Sequence, residues 1–228
     1  MAEKDFSFFE MLQNAVGEYM KGVYTAIPGN VIAFAPETQL AQIQIGIQRV
    51  DIDGKTVNPP PIIDCPVFFA GDDYVMETQI DPGCEGLIVF SQRCIDGWVN
   101  TGGCAVNPLA RFHDMADALF IPGFRPMTKV VSNFSNNGIK LRNKEGTQFC
   151  HLKNDGSILI ENGKGHIRID AAGNVTINGV KFDTVGNVTT PTTVTAKTVI
   201  GSTDVKFGGI SGTGHVHPCG DHDTGAPK

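Results

Sequence analysis

The sequence predicts a mostly β protein: a short N-terminal helix, an OB-like β-barrel, then a trimeric, intertwined β-helix forming a needle with a pointed C-terminal apex. Three observations predict this. Residues 27–105 read as short β segments, with apolar and polar residues alternating over Leu40–Gln48 and short apolar runs elsewhere. From Gly138 onward, short alternating strands recur between Asn/Gly turns. Composition changes at that same point. Of 18 aromatic residues only Phe149, Phe182 and Phe207 lie at or beyond Gly138, against 15 of the 27 glycines, and the formal charge is +2 beyond it and −8 before it. Such a shift marks a domain boundary. The chain divides on this basis into a helix (1–24), a barrel (25–110), a connecting segment (111–137), the β-helix (138–207) and an apex (208–228).

Composition bounds the function. With 41% hydrophobic residues and a net charge of −6 over 228 residues, the chain does not match the low-hydrophobicity signature of disorder. A pI near 5.4 argues against a non-specific grip on nucleic acid. No apolar run approaches the ~18 residues of a membrane span. Met1–Phe9 sets Glu3 and Asp5 against Lys4 alone, so the basic start of a signal peptide is missing and an unexported chain is expected. Six scattered cysteines with no C-x-x-C spacing are expected to be free thiols.

The N-terminal helix is read from its cap and its face. Ser7-Phe8-Phe9-Glu10 fits a capping box, and Phe6 and Met11 are spaced for a hydrophobic staple. Phe9, Leu12, Val16, Tyr19 and Val23 make one apolar face. That face either packs on its own domain or docks a partner.

The barrel follows. Val31–Phe34, the alternating run Leu40–Gln48, Val67–Ala70, Gly86–Phe90 and Trp98-Val99 read as about five short strands, punctuated by prolines and glycines. Five strands in some eighty residues suit a small OB-type barrel, with a small β-sandwich as the alternative.

The repeat beyond Gly138 consists of Ile158-x-Ile160, Ile167-x-Ile169, Val175-x-Ile177 and Val180-x-Phe182, separated by turns such as Asn162-Gly163 and Asn178-Gly179. A repeated strand–turn unit is the mark of a β-solenoid. Two or three aliphatic side chains per strand, at about 25 cal/mol per Å², do not offset the ordering entropy of an isolated chain. The faces must close on something. Three copies about one axis close them and remove open edges; a single-chain solenoid is the competing solution.

In the apex, His215-Val216-His217 follows a glycine-rich run. In extended chain, i and i+2 share a side. Three such pairs on a threefold axis supply six imidazoles, an octahedral shell that suits iron or another first-row ion rather than tetrahedral zinc. His222 reads as a solvated turn residue, and Cys219, past Pro218, as pointing elsewhere. Arg111, His113, Asp114 and Asp117 look superficially like an acid/base cluster. No nucleophile elbow, P-loop or H-E-x-x-H accompanies them, so no enzyme is expected.

Arg111-Phe112-His113-Asp114-Met115-Ala116-Asp117-Ala118-Leu119-Phe120-Ile121-Pro122-Gly123 resembles the R-x-H-x-x-x-D-A-x-x-I-P-G signature after the barrel of Mu-like phage baseplate spike proteins. With the strand–turn repeat and the terminal H-x-H, the resemblance extends over nearly the whole chain. It implies a homotrimeric central spike of a contractile tail, of a phage or a tailocin, made in the host cytoplasm and carried on the virion baseplate. Its barrels would cap the tail tube against hub and tube proteins, and its needle would pierce the host outer membrane mechanically. It also implies one Fe ion per trimer at His215 and His217, and neither a nucleic acid nor a small-molecule substrate. Two other classes are a single-chain β-solenoid that binds or degrades bacterial surface polysaccharide, and a monomeric metal-dependent hydrolase. The first wants aromatic platforms, yet the repeat has neither Trp nor Tyr.

Overall fold

The structure, a computed structural model, describes residues 7–220 and 222–223. Phe6, expected in the staple, and the side chains of Cys219 and His222 lie outside the described residues. The chain forms two compact units, Met1–Val130 and Val131–Lys228.

The first unit opens with helix α1 (Phe8–Lys21). Its start is the capping box: Ser7 N donates to Glu10 Oε2 at 2.8 Å, and Glu10 N donates to Ser7 Oγ at 3.3 Å. Two of the orphan amide donors of the first turn are thereby satisfied. Gly22 caps the other end, so Val23 lies beyond the helix rather than on its last turn. None of the helix side chains is buried. Of the two readings of its apolar face, packing on its own domain is not what the structure shows.

Five strands make one curled antiparallel sheet: β1 (Ala26–Ala35), β2 (Leu40–Ile45), β3 (Ile62–Pro66), β4 (Glu85–Phe90) and β5 (Ala118–Pro122). Their order is β3-β2-β1-β4-β5. The two edges meet through a parallel bridge between Val67 and Phe120, where Phe68 N donates to Phe120 O at 2.8 Å. The result is a half-barrel closed at one point, not two facing sheets. Alternation does what it predicts in β2 and β4: Ile43, Ile45, Ile88 and Phe90 are buried while Gln42 is exposed. Gly29 and Gly86 face each other across the ladder. A Cβ at Gly86 would collide with the Phe120 ring, so the missing side chain lets the sheet curl tightly over its core.

Three expectations are corrected here. The fifth strand is Ala118–Pro122, inside the segment assigned to a connector (111–137), so the sheet does not end at residue 110. Its short Ala118-Leu119-Phe120 alternation buries Ala118 and Phe120. Trp98-Val99 belongs to helix α2 (Asp96–Thr101), not to a strand; two adjacent apolar residues carry no period that separates the two. The strand expected at Val67–Ala70 lies earlier, at Ile62–Pro66, with only Val67 joining the closing bridge.

The second unit is built on seven strands: β6 (Ile139–Arg142), β7 (Phe149–Leu152), β8 (Ile158–Glu161), β9 (His166–Ile169), β10 (Val175–Ile177), β11 (Val180–Phe182) and β12 (Val188–Thr189). Each pairs antiparallel with the next in sequence order. The turns explain the pairing. Asn178 and Gly179 both have positive φ (45° and 91°), the two-residue hairpin that Asn-Gly favours. At Asp170–Asn174 the Asp170 carboxylate accepts Asn174 N at 2.9 Å and Asn174 Nδ2 at 2.8 Å, and Asp183–Asn187 repeats the arrangement. Tight turns send each strand back beside its predecessor. Over residues 139–189 the chain therefore neither coils into a single-chain solenoid nor leaves its inner strands' edges for intertwining with another copy. Both expectations rested on the narrow apolar face of each strand, which must close on something; the hairpin turns pair the strands edge to edge within the chain and leave that face still to be covered.

One face of this sheet is apolar across every strand. Directly opposed residues run Ile139, Leu152, Ile158, Ile169, Val175, Phe182 and Val188 in one row. Leu141, Cys150, Ile160, Ile167, Ile177 and Val180 form the next row. None of them is buried in the single chain. The opposite face carries Lys140, Arg168, Thr176 and Lys181, with Leu159 the apolar exception in that row.

Candidate functional site

His215 and His217 were expected to share a side, and the structure brings their rings together: centroids 5.1 Å apart, edge to face. They lie in an irregular segment just before Pro218–Cys219 rather than in a strand. His215 Nδ1 lies 2.8 Å from Ser211 O. With the proton on Nδ1, donated to that carbonyl, the ring keeps Nε2 as its lone-pair nitrogen, the orientation typical of a ligating histidine. Ser211 is itself held in a small network, since its hydroxyl accepts Gly214 N at 2.9 Å and Asp204 accepts the Thr213 hydroxyl at 3.1 Å. Imidazole donors suit a first-row metal ion. One chain brings two imidazoles to this place.

The signature segment does something else. Asp117 is 0% exposed and receives a two-pronged guanidinium contact from Arg111: Nε to Oδ2 at 3.0 Å and an Nη2 bond to Oδ1 at 2.8 Å. Ile95 N also donates to Asp117 Oδ1 at 3.0 Å, and Arg111 reaches Asp96 Oδ1 at 2.9 Å. Burial pushes the Asp117 carboxyl up, but Arg111 and the Ile95 amide outweigh it and hold the acid below its usual range. The same bond to Asp117 raises the Arg111 pKa. Cys94, Asp96 and Asp117 place donor atoms close enough to share a metal ion, yet Arg111, 3.2 Å from Cys94 Sγ, already supplies the positive charge there. His113 is equally structural: its Nδ1 lies 3.0 Å from Tyr24 O, and Tyr24 N donates to His113 O at 3.0 Å. What reads as an acid/base cluster in sequence is a clamp that ties the loop before β5 to Tyr24, just ahead of β1, and to the start of α2.

Sequence reasoning missed one surface feature of the first unit. An open apolar groove of about 510 Å³ runs between Val67, Phe68, Trp98, Leu119 and Ile121. These residues are far apart in sequence, so no local spacing signals it.

Cys65, Cys84, Cys94, Cys104 and Cys150 stand as free thiols. Burial pushes the Cys65 thiol up to about 12, whereas Cys104 is exposed. A thiol reagent at neutral pH should label Cys104 readily and Cys65 only after urea unfolding, as read by peptide mass. Labelling of Cys65 at the rate of Cys104 in native protein would show that the half-barrel core opens freely.

Among the described residues no helix is long and apolar enough to cross a membrane. No curated protein matches the chain. Residues 27–123, which span the curled sheet from the start of β1 to the end of β5 and include the Arg111–Asp117 clamp, match the family described as the phage protein Gp138 N-terminal domain; the first unit is thus similar to a phage protein domain and fits a phage structural protein.

Proposed function

We propose that this chain is the central spike at the tip of a contractile phage or tailocin tail, a homotrimer that caps the tail tube and punctures the host outer membrane mechanically. The observation that carries the reading is the uncovered double row of apolar side chains on β6–β12. A sheet with one apolar face must bury it against another layer. Three such sheets, one per chain, turn those faces toward a common axis and form a three-sided needle with Lys140, Arg168 and Lys181 outside. Backbone hydrogen bonds are then made within each chain, and the copies join through side-chain burial. At about 4.8 Å between neighbouring strands, seven strands give a stiff column on the order of 30 Å long. The match of residues 27–123 to a phage protein domain supports a virion setting, with the half-barrels toward hub and tube proteins.

His215 and His217 from three copies would supply six imidazole nitrogens to one iron ion at the apex. The ion's contribution is structural: it joins three chain ends in a segment with few apolar contacts. Ser211 holds the His215 ring for this. No residue is assigned a reaction.

Solution mass and metal content test the reading together. The expected mass is three times 24.4 kDa, with one iron per three chains. A clean monomer would overturn the spike. A trimer that lacks metal after preparation without chelator would overturn the iron site and leave the needle standing.

A further inference from the structure

The sheet β6–β12 carries charge at its two edges. Strands that pair in sequence order send their turns to one edge and the other alternately. Residues 143–148, 162–165 and 178–179 turn at one edge, and residues 153–157, 170–174 and 183–187 at the opposite edge. The charged turn residues are Lys144, Glu145 and Lys164 at the first edge, and Lys153, Asp155, Asp170 and Asp183 at the second. Among the described residues none of these makes an ion pair within its own chain. The sheet stands between the two sets, since strands of four residues keep the edges roughly 13 Å apart. Asp155 and Asp170 do bind their own turns. Asp155 accepts Ser157 N and Ser157 Oγ through Oδ1 alone, which leaves Oδ2 to an outside donor, and Asp170 Oδ2 accepts a single bond, from Asn174 Nδ2.

A threefold axis decides what stands beside each edge. Rotation sets one edge of a copy against the opposite edge of its neighbour, and it shifts neither along the axis. At each edge the turns recur every second strand, and the two edges are out of step by one strand, about 4.8 Å. Each turn therefore meets a gap between two turns of the neighbour. Lys144 and Glu145 come level just before residues 153–157, Lys164 between Asp155 and Asp170, and Asn178-Gly179 between Asp170 and Asp183. Every charge of the first edge thus has an opposite charge one strand away: Glu145 has Lys153, Lys144 has Asp155, and Lys164 has a carboxylate on either side.

We propose that Lys164 of each copy pairs with Asp155 and Asp170 of the next, so that ion pairs between copies join the three corners of the needle. The inference rests on the proposed trimer, whose neighbouring copy supplies the carboxylates. Exposed pairs of this kind contribute little singly, and the apolar faces hold the copies together. What the corner charges select is orientation. An antiparallel neighbour would set the edge of Asp155, Asp170 and Asp183 against the same edge of another copy, and like charges brought together disfavour it. Parallel copies, with all three apices at one end, match opposite charges instead.

Carbodiimide coupling of the full chain tests this, because the reagent joins a lysine amine to a carboxylate as an amide only where the two touch. Within one chain Lys164 and the two aspartates are a sheet's width apart, beyond a linker of zero length, so a link between them joins two chains. Chains that run as covalent dimers on a denaturing gel should yield peptides with Lys164 joined to Asp155 or Asp170. Asp183 lies at the same edge but three strands from Lys164 along the axis, and links to it should be at least tenfold rarer. Equal linking of Lys164 to all three carboxylates, or none from Lys164 in a sample whose mass is that of a trimer, would overturn the corner pairing and leave the needle standing. A monomeric sample would overturn both.

Discussion

Replacing both Ile160 and Ile167 with aspartate is expected to split the trimer into 24.4 kDa chains. The two residues face each other across β8 and β9, in the middle of the apolar face. Ile160 and Ile167 are 46% and 40% exposed in the single chain, so removing the rest of each from water on association contributes about 1 kcal/mol, under half of the value for full burial, and a trimer repeats each loss three times. The aspartates would moreover bring like charges together in a dry interior, where an unpaired carboxylate costs far more than the lost packing. Sedimentation should show the shift, while circular dichroism should retain the β signal, because the strands pair within each chain. Thr176→Asp, on the opposite face, should leave the mass unchanged. If the double variant still sediments as a trimer, some other surface holds the copies together and the three-sided needle is wrong.

Arg111→Ala is expected to destabilise the first unit by about 3–5 kcal/mol, the usual cost of stripping a buried charge of its partner. Asp117 would keep the Ile95 amide and the Cys94 thiol as donors but no positive charge, in a site with no exposure to water. The loss should appear as a lower urea midpoint at pH 7. Its pH dependence has a definite sign. The Asp117 pKa in the folded protein lies below its ordinary value, so the carboxylate's contribution is complete above the unfolded value of about 3.9. It disappears as pH falls through the folded value. The gap between parent and variant should therefore narrow in acid below pH 4. A midpoint that does not move at pH 7 would show that Arg111 is dispensable and that Asp117 finds water instead.

Legibility in the sequence followed the range of the interactions. The capping box at Ser7 and Glu10 involves residues three apart, and the structure contains both of its hydrogen bonds. Strands β8 to β11 and the Asn178-Gly179 turn were readable for the same reason, since alternation and turn chemistry act within a few residues. The strand Ala118–Pro122 was overlooked because its alternation is brief and a motif of polar residues precedes it. Trp98-Val99 was misassigned because a pair of apolar residues has no period. The proximity of His215 and His217 came from their spacing, but the Ser211 carbonyl that orients one ring did not.

The sequence by itself determined a mostly β chain, a change of character near Gly138, a capped N-terminal helix and a histidine pair close to the chain's end. These rest on local backbone preference and on side-chain periodicity, which the order of residues contains directly. Tertiary structure alone decided that the half-barrel closes through Val67 and Phe120, that Arg111 and Asp117 form a buried clamp, and that β6–β12 pair within one chain and gather their apolar residues on one face. Those outcomes depend on which distant groups meet. Contact between groups remote in sequence is set by packing and by the pairing of buried polar atoms, and neither has a period that a linear reading can detect.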